Sequence, residues 1–188
     1  MAEPVTPFIP HLILFDFGNV LEGPRNPKEF AALLGTLAEQ YGLSDGQAVW
    51  DHLYVSTDWE KAKRGQISAK QFWKNRLQAL GISNQTDQEA FVHKIESSRG
   101  IYPAMRTLIH RLHQGYRLGI VSNTYLPDLD TYLAYECNFP GVFDPVISSA
   151  REGIAKPEPA IFERALQRGQ CQPHETLFVD DLERNTLA

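Results

Sequence analysis

Four short apolar runs punctuate the chain: "LILF" (Leu12 to Phe15), "RLGIVSN" (Arg117 to Asn123), a weaker "PVISS" (Pro145 to Ser149) and "TLFVD" (Thr176 to Asp180). The first is continuous rather than alternating, bounded by Pro10 and Gly18, as expected of a strand covered on both faces in a parallel sheet. Helical stretches precede the other three, in the order "YPAMRTLIHRLHQG", "LPDLDTYLAYEC" and "EPAIFERALQRGQ". This alternation predicts βαβ units and an α/β fold with a parallel, Rossmann-like sheet. Between about Leu21 and Gly100 the period changes from strand-like to helical. Phe30, Leu33, Leu34, Leu37 and Tyr41 fall at i, i+3, i+4, i+7 and i+11, and Ile67, Phe72, Trp73, Leu77 and Leu80 make a second stripe between a Ser68 N-cap and a Gly81 stop. The spacing predicts an inserted helical cap from Glu22 to Gly100, free of strands, on a core formed by 1–21 and 101–188.

The insertion begins after "EGPRNP" and ends at "SSRGIYP", which places it over the C-terminal end of the first strand, where open parallel sheets bind ligands. Polar residues recur at those same strand ends: Asp16, then Ser122 with Asn123, then Lys156 in "GIAKPEP", then Asp180 with Asp181. Each has an ordinary explanation. Asp16 can open a turn, Ser122 to Thr124 can cap the next helix, and Lys156 can be a solvated lysine before a helix that tolerates Pro157 and Pro159. Asp180 and Asp181 can also cap, but adjacent carboxylates repel and gain from a cation between them. In a parallel sheet all four places lie on one edge, so these residues can converge.

The bulk properties narrow the partners. A chain of 188 residues supports one core with an inserted subdomain, and 43% hydrophobic with 22% charged residues is ordinary globular composition. A formal net charge of -5, with no basic run, argues against nucleic acid or an anionic membrane surface as partner. Cys137 and Cys171 have no metal-ligand spacing and need not pair. The N-terminal stretch, with prolines at 4, 7 and 10, has an apolar run too short for a signal or a membrane span, which makes a cytoplasmic protein the expectation; separately, a monomer or weak dimer is expected.

Taken in order, "FDFGNVL", "IVSNT", "GIAKPEPAIF" and "LFVDDLERN" resemble the motifs of the haloacid dehalogenase-like (HAD) hydrolase superfamily, from Asp16 to Asn185. The insertion resembles its small helical cap, and "RGQISAKQFW" is similar to a stretch common there. The resemblance implies a Mg²⁺-dependent phosphatase acting on a small-molecule phosphate ester. It implies Asp16 as nucleophile, Lys156 as catalytic cation, Ser122, Asn123 and Lys156 on the phosphate, and Asp16, the Gly18 carbonyl, Asp180 and Asp181 about the metal. Residue types suit that chemistry: a carboxylate can take up the phosphoryl group, and a hard ion with fixed donors can offset the charge.

Superfamily phosphatases usually carry a second aspartate two positions after the nucleophile, where this chain has Gly18. A substrate with a good leaving group, such as an anomeric sugar phosphate or an acyl phosphate, needs less help from an acid, and "FDxGNV" resembles a sugar-phosphate phosphatase branch. A metal-independent 2-haloacid dehalogenase also lacks that aspartate, although the late acidic pair disfavours it, and an impaired phosphate-binding module is a third reading. Trp59, Lys61 and Arg64 are candidates to face the site from the cap, against the alternative of a solvated helix face with Trp59 packed between helices. The resemblance also implies a further edge strand after the fourth motif, so a sequence stopping at Ala188 reads as a shortened form.

Overall fold

The computed structural model describes residues 8–187, so the reading of Met1 to Pro7 lies outside them. The expected core sheet is present, with strands β1 (Leu12–Phe15), β4 (Arg117–Ser122), β5 (Phe143–Ser148) and β6 (Thr176–Val179) in the order β5-β4-β1-β6. All pairings are parallel; Leu12 lies opposite Arg117 on one side and Thr176 on the other. The continuous apolar run of β1 follows from this interior place. Ile13 and Phe15 pack on the face covered by α6 (Pro103–Leu112) and α7 (Leu129–Tyr135), while Leu12 and Leu14 pack on the face covered by α9 (Pro159–Gly169). Both sets are buried, so alternation is lost although the side chains still alternate. A short α8 (Ser149–Glu152) follows β5, and α10 (Glu183–Thr186) follows β6.

The inserted region holds α1 (Pro27–Tyr41), α2 (Gly46–Tyr54), α3 (Thr57–Ala62), α4 (Ala69–Ala79) and α5 (Gln85–Ser97). Its helix ends follow local chemistry. Asn26 accepts from the N–H groups of Lys28 and Glu29 ahead of Pro27, and Gly42 closes α1 in the left-handed conformation. Ser68 caps α4 by accepting from Gln71 N–H, as its sequence position predicts. The apolar stripes of these helices meet in a cluster of their own, with Leu53, Phe72 and Leu77 fully enclosed. Burial of that kind is worth about 1.5–3 kcal/mol per side chain, so the cap carries its own packing energy.

One expectation is corrected. The insertion is not free of strands: β2 (Glu22–Pro24) and β3 (Arg99–Ile101) form an antiparallel ribbon at its two ends. Three-residue strands centred on Gly23 and Gly100 show no apolar alternation, which is why periodicity misses them. Tyr102 packs where a side chain on Gly23 would sit, and Arg25 does the same at Gly100. Among the described residues no helix is long and apolar enough to cross a membrane.

Candidate active site

Asp16 follows directly on β1, and its N–H still donates to the carbonyl of Val179 at 2.8 Å, so the sheet fixes its backbone. Its Oδ1 accepts from Phe17 N–H at 2.7 Å and pairs with Lys156 Nζ at 2.9 Å. Both contacts fall on one oxygen, which leaves Oδ2 without a donor among the described residues. Lys156 is buried and pairs also with Asp180 Oδ2 at 2.6 Å. The other oxygen of Asp180 accepts from Leu182 N–H and Asn185 Nδ2 at 2.9 and 2.8 Å, so both oxygens of this carboxylate have partners. Asp181 is exposed by contrast and, among the described residues, accepts only from Asn19 Nδ2, at 3.2 Å. A solvated-lysine reading of Lys156 does not survive its burial.

The charges at this point are unevenly neutralised. Burial pushes the Asp16 carboxyl up to about 6, against the opposing pull of Lys156, and the nearby Asp180 adds to the rise. Asp16, Asp180 and Asp181 each offer an oxygen within 4.8 Å of the others. Three clustered carboxylates, two of them paired with one buried lysine, carry excess negative charge, and an all-oxygen donor set of this kind suits a hard divalent cation.

Ser122 ends β4 and lines the same cleft as Asp16, Gly18, Asn123 and Lys156. The helix-cap reading of Ser122 to Thr124 fails, because the next helix starts only at Leu129. Thr124 N–H is taken by the hydroxyl of Ser149 at 2.9 Å, and that hydroxyl donates back to Thr124 carbonyl at 3.2 Å, so this amide is not free to bind a ligand. At Gly18 an added Cβ meets nothing within 4 Å, so neither space nor backbone conformation demands glycine there. Of the cap candidates, Trp59 lines the cleft while also packing against Tyr54, Phe72 and Tyr125; Lys61 is exposed away from it, and Arg64 pairs with Glu158 at 2.6 Å. Sequence reading missed Asn19, Ser149 and Asn185, whose partners are fixed only by the fold. It also missed the Glu22–Arg99 pair, 3.1 Å across the ribbon at the cleft wall.

The cleft lies between sheet edge and cap and encloses about 890 Å³, far more than a phosphate needs. An open parallel sheet with a buried carboxylate, a buried lysine and an acidic pair on its C-terminal edge, under a helical cap, defines an α/β protein with a charged ligand cleft. A family model described as haloacid dehalogenase-like hydrolase matches residues 11–188, and the chain belongs to that family. It is 35% identical over 86 residues to mouse (Mus musculus) acyl-CoA dehydrogenase family member 10, which is 45% of this chain but 8% of that protein. It is 25% identical over 179 residues to D-ribitol-5-phosphate phosphatase of Bacteroides thetaiotaomicron, covering 90% of this chain and 82% of the relative. Among solved structures, a HAD family enzyme of Bacteroides thetaiotaomicron in complex with magnesium and inorganic phosphate has the same fold, with a TM-score of 0.62 at 23% identity over 93% of this chain and 86% of that one.

Proposed function

We propose that the chain is a Mg²⁺-dependent phosphatase of small phosphorylated metabolites, sugar phosphates first among them. The observation that carries this reading is the buried Asp16–Lys156–Asp180 array with Asp181 beside it, open to a large cleft. Asp16 Oδ2, the oxygen with no donor among the described residues, attacks phosphorus, the leaving oxygen departs, and water hydrolyses the aspartyl phosphate in a second step. Lys156 holds Asp16 in place and neutralises charge on the phosphoryl oxygens, with Ser122 as a further donor. Asp16, the Gly18 carbonyl, Asp181 and Asp180 would hold the Mg²⁺, whose chemistry is to screen the repulsion between two anions. Similarity to the ribitol-phosphate phosphatase and to the magnesium- and phosphate-bound enzyme supports this assignment.

The experiment is phosphate release from sugar phosphates, acetyl phosphate and p-nitrophenyl phosphate, with Mg²⁺ or with EDTA, for the chain and for Asp16→Asn. We expect release that EDTA abolishes and that Asp16→Asn lowers by at least about 10³-fold. Undiminished release in EDTA would overturn the metal's role. Chloride release from 2-chloropropionate without metal would instead make the protein a dehalogenase, and no turnover of any substrate would leave a phosphate-binding module.

A further inference from the structure

We propose that Asn123 is a positioning residue that clamps the backbone of Lys156, and that its side chain is not a ligand of the substrate phosphate. The sequence places Asn123 beside Ser122, where its carboxamide looks like a second phosphate donor. The geometry spends that carboxamide elsewhere. Asn123 Oδ1 accepts from Lys156 N–H at 2.8 Å, and Asn123 Nδ2 donates to Lys156 carbonyl at 3.0 Å. The two bonds fix the orientation of the amide, since the N–H needs an acceptor and the carbonyl a donor. Among the described residues neither backbone group of Lys156 has another partner.

This reciprocal pair spans 33 positions of sequence and ties the end of β4 to the loop ahead of α9. That loop carries the lysine on which the site turns. Lys156 Nζ bridges Asp16 and Asp180 and lies over the Phe178 ring, 5.4 Å from its centroid. The side chain is thus steered from both ends: the carboxylates hold the ammonium, and Asn123 holds the backbone from which it springs. A displacement of about 1 Å of such a group can cost about 10²-fold in rate, while the carboxylates still hold the ammonium in the site, so loss of the clamp should show first in turnover.

The kinetic arm of the test rests on the phosphatase reading, while the structural arm does not. Hydrogen exchange of the Lys156 amide, phosphate affinity and steady-state kinetics are compared for the chain, Asn123→Ala and Asn123→Asp. In Asn123→Ala we expect Lys156 amide exchange to accelerate by about tenfold or more, with most other amides unchanged. Affinity for inorganic phosphate in Mg²⁺ should change by less than about threefold, and kcat should fall by about 10²-fold with KM little moved. Asn123→Asp keeps the acceptor for Lys156 N–H but opposes its carbonyl with an oxygen, so amide protection should be partly restored; this near-isosteric variant serves if the alanine variant misfolds. The proposal is overturned if Lys156 stays protected in Asn123→Ala, or if phosphate affinity drops tenfold while kcat holds. Should the unaltered chain release no phosphate, the phosphatase reading fails and the exchange measurement still decides the clamp.

Discussion

Asp16 sits where two effects oppose each other, and their balance sets a pH dependence. Burial is the larger and lifts its pKa from 3.8 to about 6; Lys156 pulls it down without cancelling the rise. In the proposed mechanism the carboxylate is the attacking form, so activity should rise as pH climbs through about 6 when Mg²⁺ is scarce. A cation among Asp16, Asp180 and Asp181 favours the ionised form, so raising Mg²⁺ should move the acid limb of kcat/KM to lower pH. A limb that stays put at every Mg²⁺ concentration would mean that the metal does not act on Asp16. Stability has the matching sign: the folded chain binds this proton more tightly than the unfolded one, so the contribution is present below pH 3.8 and is lost as pH rises through about 6. Two residues on, Gly18 gives a second test at the same scale. Its Cβ direction is open and it lines the cleft, so Gly18→Asp supplies a carboxyl without displacing neighbours. We expect Gly18→Asp to speed hydrolysis of simple alkyl phosphates by about 10²-fold and to leave acetyl phosphate nearly unchanged, because only the poor leaving group needs a proton. Equal effects on both substrates, measured as kcat/KM, would sink the leaving-group explanation of the glycine.

Elements differ in how much of themselves the sequence displays. β1 was legible because its burial on both faces is written as four consecutive apolar residues, and α4 because Ser68, the stripe through Phe72, Trp73 and Leu77, and Gly81 mark its start, face and stop. The ribbon of β2 and β3 was not, since its specification lies in glycines pressed against Tyr102 and Arg25 and in the Glu22–Arg99 pair across strands 77 positions apart. The site divides in the same way. Asp16, Lys156 and the acidic pair were readable as residue types at strand ends, and the fold brings Asp16, Lys156 and Asp180 into direct contact. What local sequence conceals is the hydrogen-bond supply behind them: Ser149 taking the Thr124 amide, Asn185 on Asp180, and Asn123 turned toward Lys156. Those pairings depend on which loops become neighbours, and no period or motif spacing encodes that.

At the scale of the whole molecule, cap and core have separate apolar clusters, so the cleft depends on how the two are held together. The ribbon joins them at one side. At the other, Arg64 meets Glu158 at 2.6 Å, Gly65 lies against the backbone of Ala150, and Tyr125 of the core packs into the cap's aromatic cluster. The Arg64–Glu158 contact is a meeting of charges without good hydrogen-bond alignment, on partly exposed side chains, and is worth about 0–1 kcal/mol at most. The close backbone fit at Gly65 should matter more. Gly65 has φ +67°, and a side chain there would collide with the Ala150 carbonyl, two backbones that cannot swing aside. Gly42 supplies the control, with φ +68° and open space around its Cβ direction. Gly42→Ala should cost about 1 kcal/mol in thermal or urea unfolding and leave kcat/KM intact, because it adds backbone strain alone. Gly65→Ala should carry the same strain and also push the α3–α4 connection off the core, lowering kcat/KM by about tenfold or more with secondary structure retained, since both clusters keep their own packing. If Gly65→Ala matches Gly42→Ala in kcat/KM, the fit against Ala150 does not set the cleft, and the ribbon with Tyr125 suffices to hold the cap over Asp16.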